Sequence, residues 1–344
     1  LRSWRITSGS DAPYCQEGVS KDDRSSSKKK KGKGKHGQAA HLHRAPRLIL
    51  SEKLQICGDD GNVTLRAIAT INPGELLVGV ALDRCLHVRA PSITANDRNA
   101  TEQAADALRK AAPLSTPLLD ESDPGRVELI VLLARELVKG EDSIWAPYLR
   151  SLPAIEYAAP PSLWPWVFAA DEASLALACL SETSVGEAIA ADVADLTRLV
   201  GSSSDANGGD GGTGGSGASE EAKGSDAVAH GGVRPVLQLS PLLGGENEAD
   251  ARAAFLHAIG LVSTRAISGA GLVPLLDLLN GAPTGQHNAT IERTNLAASA
   301  TSKEQVECVA AISSSCIQTG EEVILAYGKH SAAEFLYHCT PLFY

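Results

Sequence analysis

Apolar residues recur with two different periods along this chain, and the change of period divides it. From Leu54 onward short runs predict strands: Leu54–Cys57, then Val63–Ile68, then Leu76–Leu82. Asp59-Asp60-Gly61-Asn62 and Asn72-Pro73-Gly74-Glu75 read as the turns between them, with Pro73 and Gly74 suited to the two central turn positions. The period then lengthens. Residues 101–112 and 126–139 predict helices, the second from the spacing of Val127, Ile130, Val131, Ala134, Leu137 and Val138, with Gly140 as its stop. Ser143–Pro153 holds two aromatics and two prolines, and reads as a fixed, partly buried corner. An Ala/Leu-rich stretch predicts one helix over 171–200, with Asp171 as its cap, and 249–262 predicts another, followed by Ser263-Thr264-Arg265.

After Leu272 the short period returns. The run LVPLLDLLNGAP is broken by Pro274 and stopped by the turn pair Asn280-Gly281. A polar segment that reads as a strand pair follows. Gly320 marks a turn, Val323, Ile324 and Leu325 form a short buried strand, and Tyr327-Gly328 stands at its end. A tyrosine where a buried strand stops is placed to aim its hydroxyl into a cleft. With Asp277 and Asn280 in the same region, this is where chemistry is expected. On the residues alone, Tyr327 reads more readily as a core-edge tyrosine than as a catalytic group, and Asn280 as a plain turn residue.

Composition narrows the picture. Hydrophobic residues are 43% of 344, enough for a sizeable core, but aromatics are 4%, so that core is aliphatic. The net charge of -10 argues against a nucleic-acid coat. The seven cysteines form no CxxC, which suggests neither a zinc ribbon nor a disulfide scaffold, and free thiols are the plain reading. No apolar run is long enough to span a bilayer. Residues 1–46, with the run Lys28–Lys31, read as a disordered basic tail, the one stretch where nucleic acid or nuclear targeting enters. Residues 201–232 are Gly/Ser-rich and read as a disordered loop, since the lysine and following helix of a phosphate-binding loop are missing. The chain contains no methionine and reads as a fragment.

Several stretches together resemble the SET-domain protein methyltransferases, in the subgroup of the Rubisco large-subunit lysine methyltransferase and the actin-histidine methyltransferase. They are LRAIATINPGELLVGV, ELIVLLARELVKGEDSIWAPYLRSLP, STRA, LVPLLDLLNGAP and ECVAAISSSCIQTGEEVILAYGKHSAAEFLYH, in the family's order. The resemblance implies an α+β fold: small sheets with a knot-like crossing, interrupted by a helical insertion. The domains expected are the tail 1–46, an N-terminal half 47–100, the helical insertion 101–254 containing the loop 201–232, and a C-terminal half 255–344. The cofactor implied is S-adenosylmethionine, held by Gly61, Asn62, Val63, Arg265, Asp277, Leu278, Leu279, Asn280 and Gly281. Tyr327 is the implied catalytic residue, and no metal is required.

The resemblance also implies a protein substrate methylated on lysine. The alternatives are a histidine acceptor, or an inactive module that binds a partner protein. The chain departs from the family where Gly281 replaces a histidine, and where Cys339-Thr340-Pro341 stands in place of a Gly-Phe pair. A monomer without membrane attachment is expected. Cytoplasm or nucleus is favoured, with the plastid open.

Overall fold

The computed structural model describes residues 48–59, 62–111, 125–201, 237–282, 285–297 and 305–326. The fold is α+β, and the chain divides into two compact units. The first draws on Leu1–Ala81, Leu278–Gly281 and His287–Leu325; the second on Leu82–Asp277, Ala282–Gln286 and Ala326–Tyr344.

The first unit is built from strands. β1 (Leu48–Leu50), β4 (Leu76–Ala81), β6 (Ala289–Ala297) and β7 (Gln305–Ser313) pair antiparallel in the order β1-β4-β7-β6. Two-residue strands β8 (Leu325–Ala326) and β5 (Gly281–Ala282) extend that sheet at one edge, β8 running parallel to β6. β2 (Leu54–Asp59) and β3 (Asn62–Ala67) form a separate hairpin, with Asp59 opposite Asn62. Val78, Val80, Val309, Ala311 and Ile317 are buried here, as are Leu54 and Leu65 of the hairpin. Along β4 burial is almost continuous rather than alternating, as expected of a strand covered on both faces. Gly79 sits in that run where a Cβ would come within 2.8 Å of Leu296 Cδ1. The expected turn at 72–75 is present. Gly74 has φ +84°, the conformation glycine takes most readily, and its N–H donates to Ser313 O at 2.8 Å.

The second unit is helical. α2 (Arg126–Lys139) packs on α1 (Ala95–Ala111) and on α8 (Glu248–Arg265), with α7 (Leu239–Leu243) beside α8. Spacing predicted one apolar face for α2, yet Leu129, Leu132 and Leu133 are buried as well, so the helix is enclosed nearly all round. Each fully buried Leu or Ile there contributes about 1.5–3 kcal/mol relative to exposure. Glycine permits one close approach: at Gly260 of α8 a Cβ would lie 2.7 Å from Ala158 O.

Three expectations for the helices need correction. α1 begins six residues before position 101, because Thr94 Oγ1 accepts from Asp97 N at 3.1 Å and caps it. The single helix over 171–200 is two: α5 (Ala170–Ala178) and α6 (Ser184–Val200). Thr183 separates them by capping α6 through Gly186 N at 3.0 Å, while Asp171 lies inside the first turn of α5 and does not cap it. Finally, α8 runs through Arg265 rather than stopping before it. Two short helices, α3 (Ala146–Leu149) and α4 (Trp164–Val167), complete this unit.

Candidate active site

Arg265, the last residue of α8, is brought back onto Asp277 by a reversal of the chain. The reversal is tight: Ile267 N donates to Gly271 O at 2.9 Å, and Gly269 and Gly271 have φ of +69° and +79°. Only glycine fits at Gly271, where a Cβ would stand 2.3 Å from Leu86 O. Leu272 then pairs with Leu86 through bonds of 2.9 and 3.2 Å. Leu275 follows with φ +70°, a left-handed conformation that costs a branched residue free energy. Leu276–Leu278 close a single 3-10 turn. The result is that Arg265 Nη1 donates to the main-chain carbonyl of Asp277.

The Asp277 side chain is enclosed, with 5% of its surface exposed. Its Oδ2 accepts from the hydroxyl of Tyr148. Its Oδ1 is buried with no hydrogen-bond partner among the described residues, and so are Arg265 Nε and Trp145 Nε1. Burial disfavours the charged carboxylate and pushes Asp277 up to about 6, against the pull of Tyr148 and Arg265. Burial also raises the Tyr148 phenol, whose hydroxyl end is withdrawn from solvent although the residue is only half-buried. Tyr148 is positioned from α2. Buried Glu136 accepts from Ser143 Oγ at 2.5 Å, Ser143 Oγ accepts from Trp145 N at 3.0 Å, and the Trp145 ring stands edge-on to Tyr148 at 6.3 Å and 69°. The corner read from Ser143–Pro153 is thus fixed by a buried carboxylate.

In the strand-built unit the next residues take up a second set of bonds. Leu278 is half-buried, Leu279 buried and Asn280 exposed. Asn280 O accepts from Leu325 N at 2.9 Å, and Asn280 Nδ2 donates to Glu322 Oε1 at 2.6 Å. Glu322 lies opposite Arg66 in an isolated bridge, their charged groups 4.0 Å apart. Asn288 clasps the same segment: its Nδ2 donates to Glu322 O and its Oδ1 accepts from Ile324 N, both at 2.8 Å. The turn expected at Asn280-Gly281 is absent. Gly281 is extended at the sheet edge in β5 and has no positive φ.

Of the residues singled out in the sequence, Arg265 and Asp277 are bonded to each other. Asn280 is bonded to the segment that leads to Tyr327, and Leu278, Leu279 and Gly281 flank it. Asn62 and Val63 begin β3, opposite Asp59 and Gly58. Gly61 and Tyr327 lie outside the described residues. Two residues were missed, Tyr148 and Glu322. The aromatic corner was the available signal for Tyr148. For Glu322 it was the acid five residues ahead of Tyr327 in the sequence.

No protein-family model matches the chain, and no curated protein does. Solved structures do resemble it. The SET domain of LSMT bound to lysine and AdoHcy is similar with a TM-score of 0.49 and 16% identity, covering 83% of this chain and 52% of that one. The same domain bound to methyllysine and AdoHcy gives 0.48 and 16%, over 85% and 53%. Rubisco LSMT bound to AdoMet gives 0.44 and 16%, over 83% and 51%. The chain spans about half the length of these structures.

Proposed function

We propose that the chain is an S-adenosylmethionine-dependent protein N-methyltransferase of the SET type, acting on lysine. One observation carries this reading. The five residues Asp277–Gly281, where the sequence resembles the family's cofactor-binding motif, receive bonds from two other stretches that resemble it: Arg265 onto Asp277 O, and Leu325, two residues before Tyr327, onto Asn280 O. The first bond spans 12 residues within the helical unit, and the second spans 45 within the strand-built unit.

The residues fit such a cofactor chemically. Asp277 Oδ1 and Arg265 Nε are a buried acceptor and a buried donor with no partner among the described residues. A sulfonium amino acid brings cationic groups and a carboxylate of its own. The resemblance assigns it to Arg265, Asp277, Asn280 and their neighbours, and to Gly61, Asn62 and Val63. When bound, the cofactor supplies a methyl group on a cationic sulfur.

The chain's own task is then alignment, which accounts for most of the acceleration in a direct displacement. Asn280 O accepts from Leu325 N at 2.9 Å, and a carbonyl oxygen has a second lone pair that would serve a weak CH···O contact to a polarised methyl. The Tyr327 hydroxyl orients the acceptor amine. A lysine must shed a proton that it holds with a free pKa of about 10.4, and enclosure beside a cation lowers that value.

Calorimetry of the full chain with S-adenosylmethionine tests the reading: binding is expected, and none by a folded protein overturns it. Tyr327→Phe should cut methyl transfer more than cofactor affinity, and equal losses would make Tyr327 structural. Peptide arrays offering lysine and histidine acceptors decide the target: transfer to histidine alone overturns the lysine assignment, and binding without transfer to either points to an inactive module.

A further inference from the structure

We propose that Tyr148 is a positioning residue for the Asp277–Asn280 stretch: its hydroxyl holds the buried Asp277 carboxylate in place and so fixes the turn whose carbonyl Arg265 takes. The inference rests on the reading of that stretch as a methyl-transfer site only for its consequence on binding; the contact itself is read from the helical unit alone.

The geometry sets Tyr148 apart from a tyrosine that merely fills space. Its hydroxyl meets a carboxylate 129 residues away, on a side chain 5% exposed whose other oxygen has no partner among the described residues. A buried carboxylate short of donors loses stability for each one removed. The turn that carries it follows Leu275, held at φ +70°, a conformation that persists only when its surroundings over-determine it. Tyr148 is itself immobilised by Trp145, Ser143 and Glu136. A chain of fixed contacts therefore runs from α2 to Asp277.

Among the described residues, few charged and titratable groups face this carboxylate. Arg265 faces it from α8 and Tyr148 from α3, while the Cys85 thiol acts on Tyr148 and raises its phenol. Burial lifts the acid, and Tyr148 opposes that lift more than Arg265 does. Without the hydroxyl, Asp277 keeps its proton to higher pH, its attraction for Arg265 weakens, and the turn loosens.

The test is a carboxyl carbon-13 NMR titration of the full chain, wild type against Tyr148→Phe, with Asp277→Asn assigning the resonance. S-Adenosylmethionine affinity is measured across the same pH range. In wild type the Asp277 resonance should titrate near pH 6, and affinity should fall as pH drops through that value. In Tyr148→Phe both midpoints should move upward together, by about one pH unit or more. An unmoved Asp277 midpoint in a folded Tyr148→Phe protein overturns the proposal. So does an affinity loss of equal size at every pH, which is the mark of a merely structural role. If Tyr148→Phe does not fold, Asp277→Asn decides instead: its affinity should be flat between pH 5 and 7, and an unchanged profile overturns the proposal. Should wild type bind no cofactor at any pH, the proposed function fails, and the NMR titration still judges Tyr148.

Discussion

Replacing Asp277 by asparagine should remove the pH dependence that this residue gives the helical unit over the range where wild type weakens. Asp277 titrates at about 6 when folded, against 3.8 unperturbed, because burial disfavours its charge. Between those values the folded chain holds the proton more tightly than the unfolded chain. The stability this group contributes is therefore complete below about pH 4 and is lost as pH rises through 6. A rise from 3.8 to about 6 corresponds to about 3 kcal/mol. That is a large share of the 5–15 kcal/mol typical of a domain. Asparagine keeps an oxygen to accept from Tyr148 and removes the ionisation. How the new amide is satisfied sets the variant's stability at this position, but that contribution does not change with pH. The assay is urea unfolding at pH 4 to 7.5 followed by tryptophan fluorescence, since Trp145, Trp164 and Trp166 all lie in the helical unit. Relative to Asp277→Asn, wild type should lose about 3 kcal/mol across that range. Parallel stability curves would show that Asp277 is not an ionisable buried group, and the account of the site built on it would fall.

Two further outcomes follow from contacts already described. Gly260→Ala should destabilise the helical unit by about 1–3 kcal/mol, because its Cβ meets the Ala158 main-chain oxygen at 2.7 Å and backbone cannot yield cheaply. Gly79→Ala, facing only the movable tip of Leu296 at 2.8 Å, should cost less, and thermal unfolding of both variants checks the order. Glu322→Gln should weaken S-adenosylmethionine binding about fivefold, since the Asn280 amide exchanges a charged acceptor at 2.6 Å for a neutral one. Unchanged affinity together with a lowered melting temperature would reduce Glu322 to a structural role.

The sequence revealed elements whose signal is local and concealed contacts whose partners are distant. The spacing of Val127, Ile130 and Val131 with Gly140 beyond it located α2 to the residue, and the polar segment after Asn280 is the pair β6–β7. The break between α5 and α6 was hidden because alanine and leucine favour helix on both sides. Thr183 three residues before Gly186 was the clue, since a side chain that accepts from that N–H starts a new helix. Asn280-Gly281 has the composition of a turn, but the Leu325 N–H holds it extended. Tyr148 could be placed in a rigid corner but not beside Asp277, because no local pattern records a bond between residues 129 positions apart.

The pairing of β4 with β7 has a consequence for how the chain is made. Val80 lies opposite Val309, about 230 residues later. Ribosomes add about 5–20 residues per second. After β4 emerges it waits roughly 10–50 s for its partner at that rate, its buried face uncovered and its edge open to other chains. The main part of the helical unit, Leu82–Asp277, is synthesised in that interval and carries its own core, from Leu86 to Leu272. It can fold while the first strands wait. The interval between β4 and β7 is therefore the time at which a chaperone protects this protein most, and slowed translation of the helical unit should raise aggregation before it lowers the stability of any finished molecule.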